Sequence, residues 1–136
     1  EVLIVGRQDD LHATLRTADF VSLHAPLTDD THELIDAQAL AIMPSTAILI
    51  NSARGGLVDQ VALRAALHEG RIAGAGLDVT VPEPLPPDDP LLDAPNLIIV
   101  PHIGSATRFA RERMADICVD NLLAGLAGEP LPYPVV

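Results

Sequence analysis

Short aliphatic runs recur along this 136-residue chain at Val2–Val5, Phe20–His24, Ala47–Ile50, Ile72–Val79 and Leu97–Val100, with stretches of helical spacing between them. Runs of this length without polar alternation read as strands buried on both faces, the condition of parallel sheets covered by helices. Only 2% of the residues are aromatic, so the core has to be built from Leu, Ile, Val and Ala. Strand–helix alternation of this kind implies crossover connections and an α/β architecture. The expectation is a parallel sheet with helices on both faces.

The helical stretches can be placed by their apolar spacing. Leu11 and Leu15 fit one short helix, and Leu34, Ile35, Ala39 and Leu40 fit a second. Val61, Leu63, Ala66 and Leu67 fit a third, with Asp59 as its N-cap and Gly70 ending it. A long C-terminal helix carries Ala110, Met114, Ile117, Cys118, Leu122 and Leu126 three and four apart, interrupted only by Asn121. Ser105 or Thr107 caps it, Gly128 and Pro130 stop it, and Met114 and Cys118 are expected to face the core. Val81 to Pro95 form one irregular segment with prolines at 82, 84, 86, 87, 90 and 95. Proline fixes φ and removes a donor, so this is a stiff loop.

Charge narrows the function classes. Eight basic residues against nineteen acidic ones give a net charge of -11. A nucleic-acid groove or an anionic membrane surface calls for the opposite sign. A small anionic substrate remains compatible, because one nearby Arg outweighs a diffuse, screened field. Cys118 is the sole cysteine, which excludes an intrachain disulfide and a thiolate metal cluster, and no metal site is expected. No apolar stretch reaches the roughly 20 residues that span a bilayer, and the first ten residues lack a basic n-region. A soluble cytoplasmic protein is the expectation.

Polar residues fall where a parallel sheet would place a site. Its strands share a direction, so their C-terminal ends lie along one edge, where open sheets bind ligands. His24 ends the second run, Asn51-Ser52-Ala53-Arg54 follow the third, Asp78 closes the fourth with Glu83 beyond it, and His102 follows the fifth. Arg54, before Gly55-Gly56, is either a fork for a carboxylate or a solvated turn arginine. His102 suits proton transfer near neutrality or serves as a hydrogen-bonded structural residue. Glu83, between Pro82 and Pro84, either fixes an imidazole or is an ordinary loop acid. Asp78 accepts from a ligand amide or caps a turn. His24 with Ala25-Pro26 contacts a flat ring or simply leaves the strand. His12, His32 and His68 fall on polar faces and are expected to be solvated.

Four of these segments, taken in order, resemble the D-2-hydroxyacid dehydrogenases. They are Ala18-Asp19-Phe20-Val21-Ser22-Leu23-His24-Ala25-Pro26-Leu27-Thr28, Asn51-Ser52-Ala53-Arg54-Gly55-Gly56, Gly76-Leu77-Asp78-Val79 with Pro82-Glu83-Pro84-Leu85, and Pro101-His102-Ile103-Gly104-Ser105-Ala106-Thr107. Asp78-Val79-Thr80 running to Glu83-Pro84-Leu85-Pro86, and Asn121 to Leu126, are most similar to glyoxylate/hydroxypyruvate reductases. The resemblance implies an oxidoreductase that transfers hydride between NAD or NADP and a small 2-oxo acid, on a partial Rossmann-like sheet. It implies that Arg54 holds the substrate, that His102 protonates the carbonyl oxygen, and that Glu83 supports His102. Asp78 would orient the nicotinamide amide. Backbone around Ala25-Pro26, Ala53 and Gly104 would line the cofactor, with His24, Arg54 and His102 beside it.

The family's Gly-rich phosphate loop is not found in the sequence. Gly74-Ala75-Gly76 is followed by Val79 where a third glycine is needed, and it enters a strand rather than a helix. Residues 1–136 are therefore expected to be a single, incomplete NAD(P)-binding domain whose cofactor affinity on its own is weak, since a pyrophosphate-binding helix terminus is missing. The alternative readings are a non-catalytic binding module that keeps the family fold and a half-domain driven to dimerise. An exposed parallel edge makes a homodimer the expectation in either case.

Overall fold

A computed structural model describes residues 1–135, which divide into two compact units, one running from Glu1 to Pro101 and the other from His102 onward. The first unit holds four strands, β1 (Phe20–Leu23), β2 (Ile48–Asn51), β3 (Gly74–Leu77) and β4 (Leu97–Ile99), hydrogen-bonded in that order and all parallel. The helices α1 (Leu11–Leu15), α2 (Ala37–Ile42) and α3 (Gln60–His68) lie between them in sequence. The parallel sheet with its helices follows the sequence expectation, and four of the five aliphatic runs became strands.

The fifth did not. Val2, Leu3 and Ile4 are exposed and form no strand. A strand exists only through a neighbour that takes its hydrogen bonds, and four apolar residues specify no such neighbour.

Side-chain alternation sorts the sheet into two different faces. Leu23, Leu49, Asn51, Ala75 and Leu77 are buried, together with Leu15, Ile35, Leu40, Leu57, Leu63 and Ile72. On the other face Phe20, Ile50 and Ile98 are exposed, Phe20 at 72% and Ile98 at 69%. Within this unit the residues of α1, α2 and α3 pack against the first of these rows. An aliphatic run does not distinguish the two faces, because both of its alternating rows are apolar.

Local capping explains where the helices begin. Asp10 accepts from the Ala13 amide, Asp36 from Ala39, and Asp59 from both Val61 and Ala62, each satisfying donors that a helix start leaves open and contributing about 1 kcal/mol. Gly70, at φ 64°, follows α3 in the left-handed conformation. Leu34 and Ile35, which spacing assigned to the second helix, precede it instead. Ile35 accepts from the Asp59 amide and donates to Leu57, bridging to Val58. This contact ties the entry of α2 to the entry of α3.

The segment 81–95 is irregular apart from a 3-10 turn at Pro90–Asp93, capped by Asp89. Arg64 of α3 grips that turn through the Asp93 carboxylate at 2.7 and 2.8 Å and the Pro90 carbonyl at 2.8 Å. The stiff loop is thus fastened to a helix at its far end.

The second unit contains α4 (Arg108–Ala127), capped by the Thr107 hydroxyl and ended by Gly128 at φ 73°. Asn121, the polar break in its apolar stripe, binds the Tyr133 backbone at both its amide nitrogen and its carbonyl, at 3.0 and 2.8 Å. Arg113 adds a bond to the Tyr133 hydroxyl at 3.0 Å and lies 5.3 Å from the ring centroid. Met114 and Cys118, expected to face the core, are exposed. The half-buried residues Ile117, Asn121 and Ala124 mark the covered row instead. Helical spacing identified the stripe but placed its centre one position too far round.

Candidate functional site

The four strand exits share one edge because the strands are parallel. At that edge lies a cleft of about 610 Å³ lined by His24, Ala25, Pro26, Leu27, Ser52, Ala53 and Arg54. The exits of β1 and β2 build it together. Five positions singled out from the sequence, His24, Ala25, Pro26, Ala53 and Arg54, therefore meet around one space.

Asn51 shapes the Arg54 side of this cleft. It is 1% exposed, and its side-chain oxygen accepts from the Ala53 amide at 3.1 Å while its nitrogen donates to the Arg54 carbonyl at 2.9 Å. A buried amide that satisfies both of its ends within its own turn fixes the turn's shape. Arg54 itself is exposed, and its guanidinium donates to the Ala53 carbonyl at 2.7 Å. That bond uses one of the five N–H groups of the fork. On the opposite wall, the Ser22 hydroxyl and His24 Nε2 are 2.8 Å apart, which orients the ring.

A second cleft of about 190 Å³ adjoins the first through Ser52. It is lined by Ile50, Asn51, Ser52, Gly76, Leu77, Asp78, Ile98 and Val100. Asp78 is nearly buried, and its amide donates to the Asn51 carbonyl at 2.8 Å. The ladder thus continues one step past β3 and carries Asp78 to the rim. Glu83 lies exposed on the loop beyond and lines neither cleft.

His102 and Gly104 lie at the start of the second unit. His102 has φ 52°, a left-handed backbone that is uncommon outside glycine and that clusters at functional positions.

Two contributors escaped sequence reading. From sequence Asn51 stands out only through the stretch that leads to Arg54, although an Asn at the end of a strand signals a local turn-former. Gln60 was not singled out. Its side chain binds both main-chain groups of Val81, a contact with no local signature.

Comparison with known proteins agrees with the fold. The sequence profile of the family described as D-isomer specific 2-hydroxyacid dehydrogenase, NAD binding domain, matches residues 2–104. Glyoxylate/hydroxypyruvate reductase B of Pectobacterium carotovorum is 54% identical over 124 residues, which cover 91% of this chain and 39% of that protein. The crystal structure of the TT0316 protein from Thermus thermophilus superposes with a TM-score of 0.88 at 57% identity, covering 93% of this chain and 40% of the other. D-Lactate dehydrogenase with NAD+ from Lactobacillus jensenii gives a TM-score of 0.82 at 33% identity, covering 99% of this chain and 47% of that one. The chain thus spans less than half the length of each.

Proposed function

The chain belongs to the D-isomer specific 2-hydroxyacid dehydrogenase family through its NAD-binding domain, and from that premise we propose that it forms part of an NAD- or NADP-dependent reductase of small 2-oxo acids such as glyoxylate or hydroxypyruvate. The observation that carries the reading is the convergence of His24, Ala25, Pro26, Ala53 and Arg54 on one cleft at the C-terminal edge of the sheet.

The residues fit a nicotinamide cofactor. The smaller cleft is lined by Ile50, Gly76, Ile98 and Val100, apolar surface suited to a flat ring, and Asp78, which also borders it, is assigned the nicotinamide amide by its motif. Backbone at Ala25, Pro26 and Ala53 lines the adjoining space, and Gly104 is assigned to the same group by its motif. When bound, the cofactor supplies hydride to the carbonyl carbon of the oxo acid.

The chain's own residues bind the substrate and move the proton. Arg54 pairs its planar fork with the substrate carboxylate through two parallel hydrogen bonds. His102 donates a proton to the carbonyl oxygen and accepts it in the reverse direction. Glu83 is assigned support of the imidazole. Support for these roles comes from the motifs in which the three residues stand.

Turnover is tested in the full-length protein that carries this chain, by following NADH and NADPH oxidation with glyoxylate and with hydroxypyruvate. The expected result is reduction of at least one oxo acid, with kcat/KM lowered roughly ten- to hundredfold by Arg54→Ala, as the loss of a charge-assisted pair predicts. Absence of turnover with either acid, or an Arg54→Ala protein as active as the parent, overturns the reading. A cytoplasmic homodimer belongs to the same proposal. The outer edges of β1 and β4 have no strand partner among the described residues, and such edges favour association. Sedimentation of the full-length protein tests it.

A further inference from the structure

The turn that carries Arg54 and the loop that carries Glu83 are joined at two points. The first is Gly55, where a side-chain carbon would lie 2.3 Å from the Thr80 carbonyl oxygen. The second is Gln60, whose amide nitrogen donates to the Val81 carbonyl at 2.6 Å while its amide oxygen accepts from the Val81 N–H at 2.9 Å. One planar side-chain amide thus pairs with both main-chain groups of a single residue, as a neighbouring strand would. Between Gly55 and Gln60 the chain is rigid, since Gly55, Gly56, Leu57 and Val58 are all buried and Asp59 fixes the start of α3. On the loop side, the Thr80 hydroxyl donates to the Pro82 carbonyl at 2.9 Å, which passes the constraint one residue nearer to Glu83.

We infer that Gln60 is a positioning residue, whose amide clamps Val81 and so holds the Glu83 loop in register with the Arg54 turn. The clamp is half-exposed, and ordering a long side chain opposes the gain from two such bonds, so its contribution to global stability is small. Its effect is local, on where the loop sits. Its consequence for turnover rests on the proposed reductase reading, whereas the clamp itself stands on the hydrogen bonds alone.

The test compares Gln60→Leu, Gln60→Ala and Gln60→Glu in the full-length protein. Leucine keeps the reach and removes both bonds, and glutamate keeps the acceptor for the Val81 amide while removing the donor. Hydrogen exchange at the Val81 amide is expected to rise about tenfold in the Leu and Ala variants, with the Leu63 amide of α3 unchanged and Gln60→Glu falling between. The backbone order parameter at Glu83 is expected to fall in the Leu and Ala variants and to recover in part in Gln60→Glu. In turnover of an oxo acid, kcat is expected to drop about tenfold or more with the cofactor KM unchanged. Unaltered Val81 exchange overturns the clamp. Faster exchange with an unchanged Glu83 order parameter, or with unchanged kcat in an active enzyme, overturns the positioning role. If the parent protein reduces no oxo acid, the reductase reading fails, and the exchange and order-parameter measurements still decide this one.

Discussion

Gly55 packs directly on the backbone of Thr80, so closely that a methyl group on Gly55 would sit 2.3 Å from the Thr80 carbonyl oxygen and 2.4 Å from its carbon. Neither backbone atom has a flexible side chain's freedom to move aside. Gly55→Ala is therefore expected to destabilise the fold by about 1–3 kcal/mol, read as a lower urea midpoint at unchanged slope. A variant as stable as the parent would show that the two segments are not in fixed contact.

Asn51 is the buried partner of the Arg54 turn. Asn51→Ala removes the bond to the Ala53 amide and one of the two to the Arg54 carbonyl, which keeps that from the Leu57 amide, and the expected cost is about 1–3 kcal/mol. Asn51→Asp keeps the acceptor, loses the donor and buries a carboxylate against the Arg54 carbonyl, so it should cost at least as much near neutrality. Equal urea midpoints for all three proteins would remove Asn51 from the account.

Arg54 is exposed, so its substitution bears on binding rather than folding. Arg54→Lys keeps the charge and loses the fork. Stability is expected to stay within about 0.5 kcal/mol, while kcat/KM for the oxo acid falls roughly tenfold or more, as for the loss of a charge-assisted hydrogen bond. A lysine variant with parental kinetics would reduce Arg54 to a generic cation.

Asp93 gives a pH dependence. The hydrogen bond from Arg64 is the main cause that holds its carboxyl well below the usual carboxylate range, helped by the bond from His68. A carboxyl whose folded value lies below its unfolded one stabilises the fold fully above the unfolded value, about 4, and loses that contribution as the pH falls through the folded value. The stability difference between the parent and Asp93→Asn is thus expected to be largest near neutrality and to shrink in acid. The group is exposed, so the difference is small and should also diminish with salt. A difference that grows on acidification contradicts the assignment.

Leu49 lies at the centre of the covered face and is 0% exposed. Leu49→Ala is expected to cost about 2–5 kcal/mol, measured by chemical denaturation. The equivalent change at Ile98, which is exposed, is expected to cost far less in this chain, and comparable losses at the two sites would argue that both faces are packed.

What the sequence made legible was whatever is local. Asp59 and Gly70 mark α3 because caps act on the backbone next to them, and Thr107 and Gly128 mark α4 for the same reason. The strand exits were readable because parallel strands leave the sheet on one side. That put His24, Ala53 and Arg54 at one cleft without any knowledge of packing. What stayed hidden depends on a distant partner. Val2–Val5 lacked a neighbouring strand among the described residues, Phe20 and Ile98 are exposed although they stand in apolar runs, and Gln60 found Val81 across 21 residues of chain.

The left-handed backbone at His102, with φ 52°, limits which replacement can probe its chemistry. Alanine deletes the ring and also incurs a conformational penalty that has nothing to do with proton transfer, and valine or isoleucine incurs a larger one. Asparagine tolerates that torsion and resembles imidazole in reach while carrying no titratable group. A kinetic deficit in that variant reports the imidazole rather than the backbone.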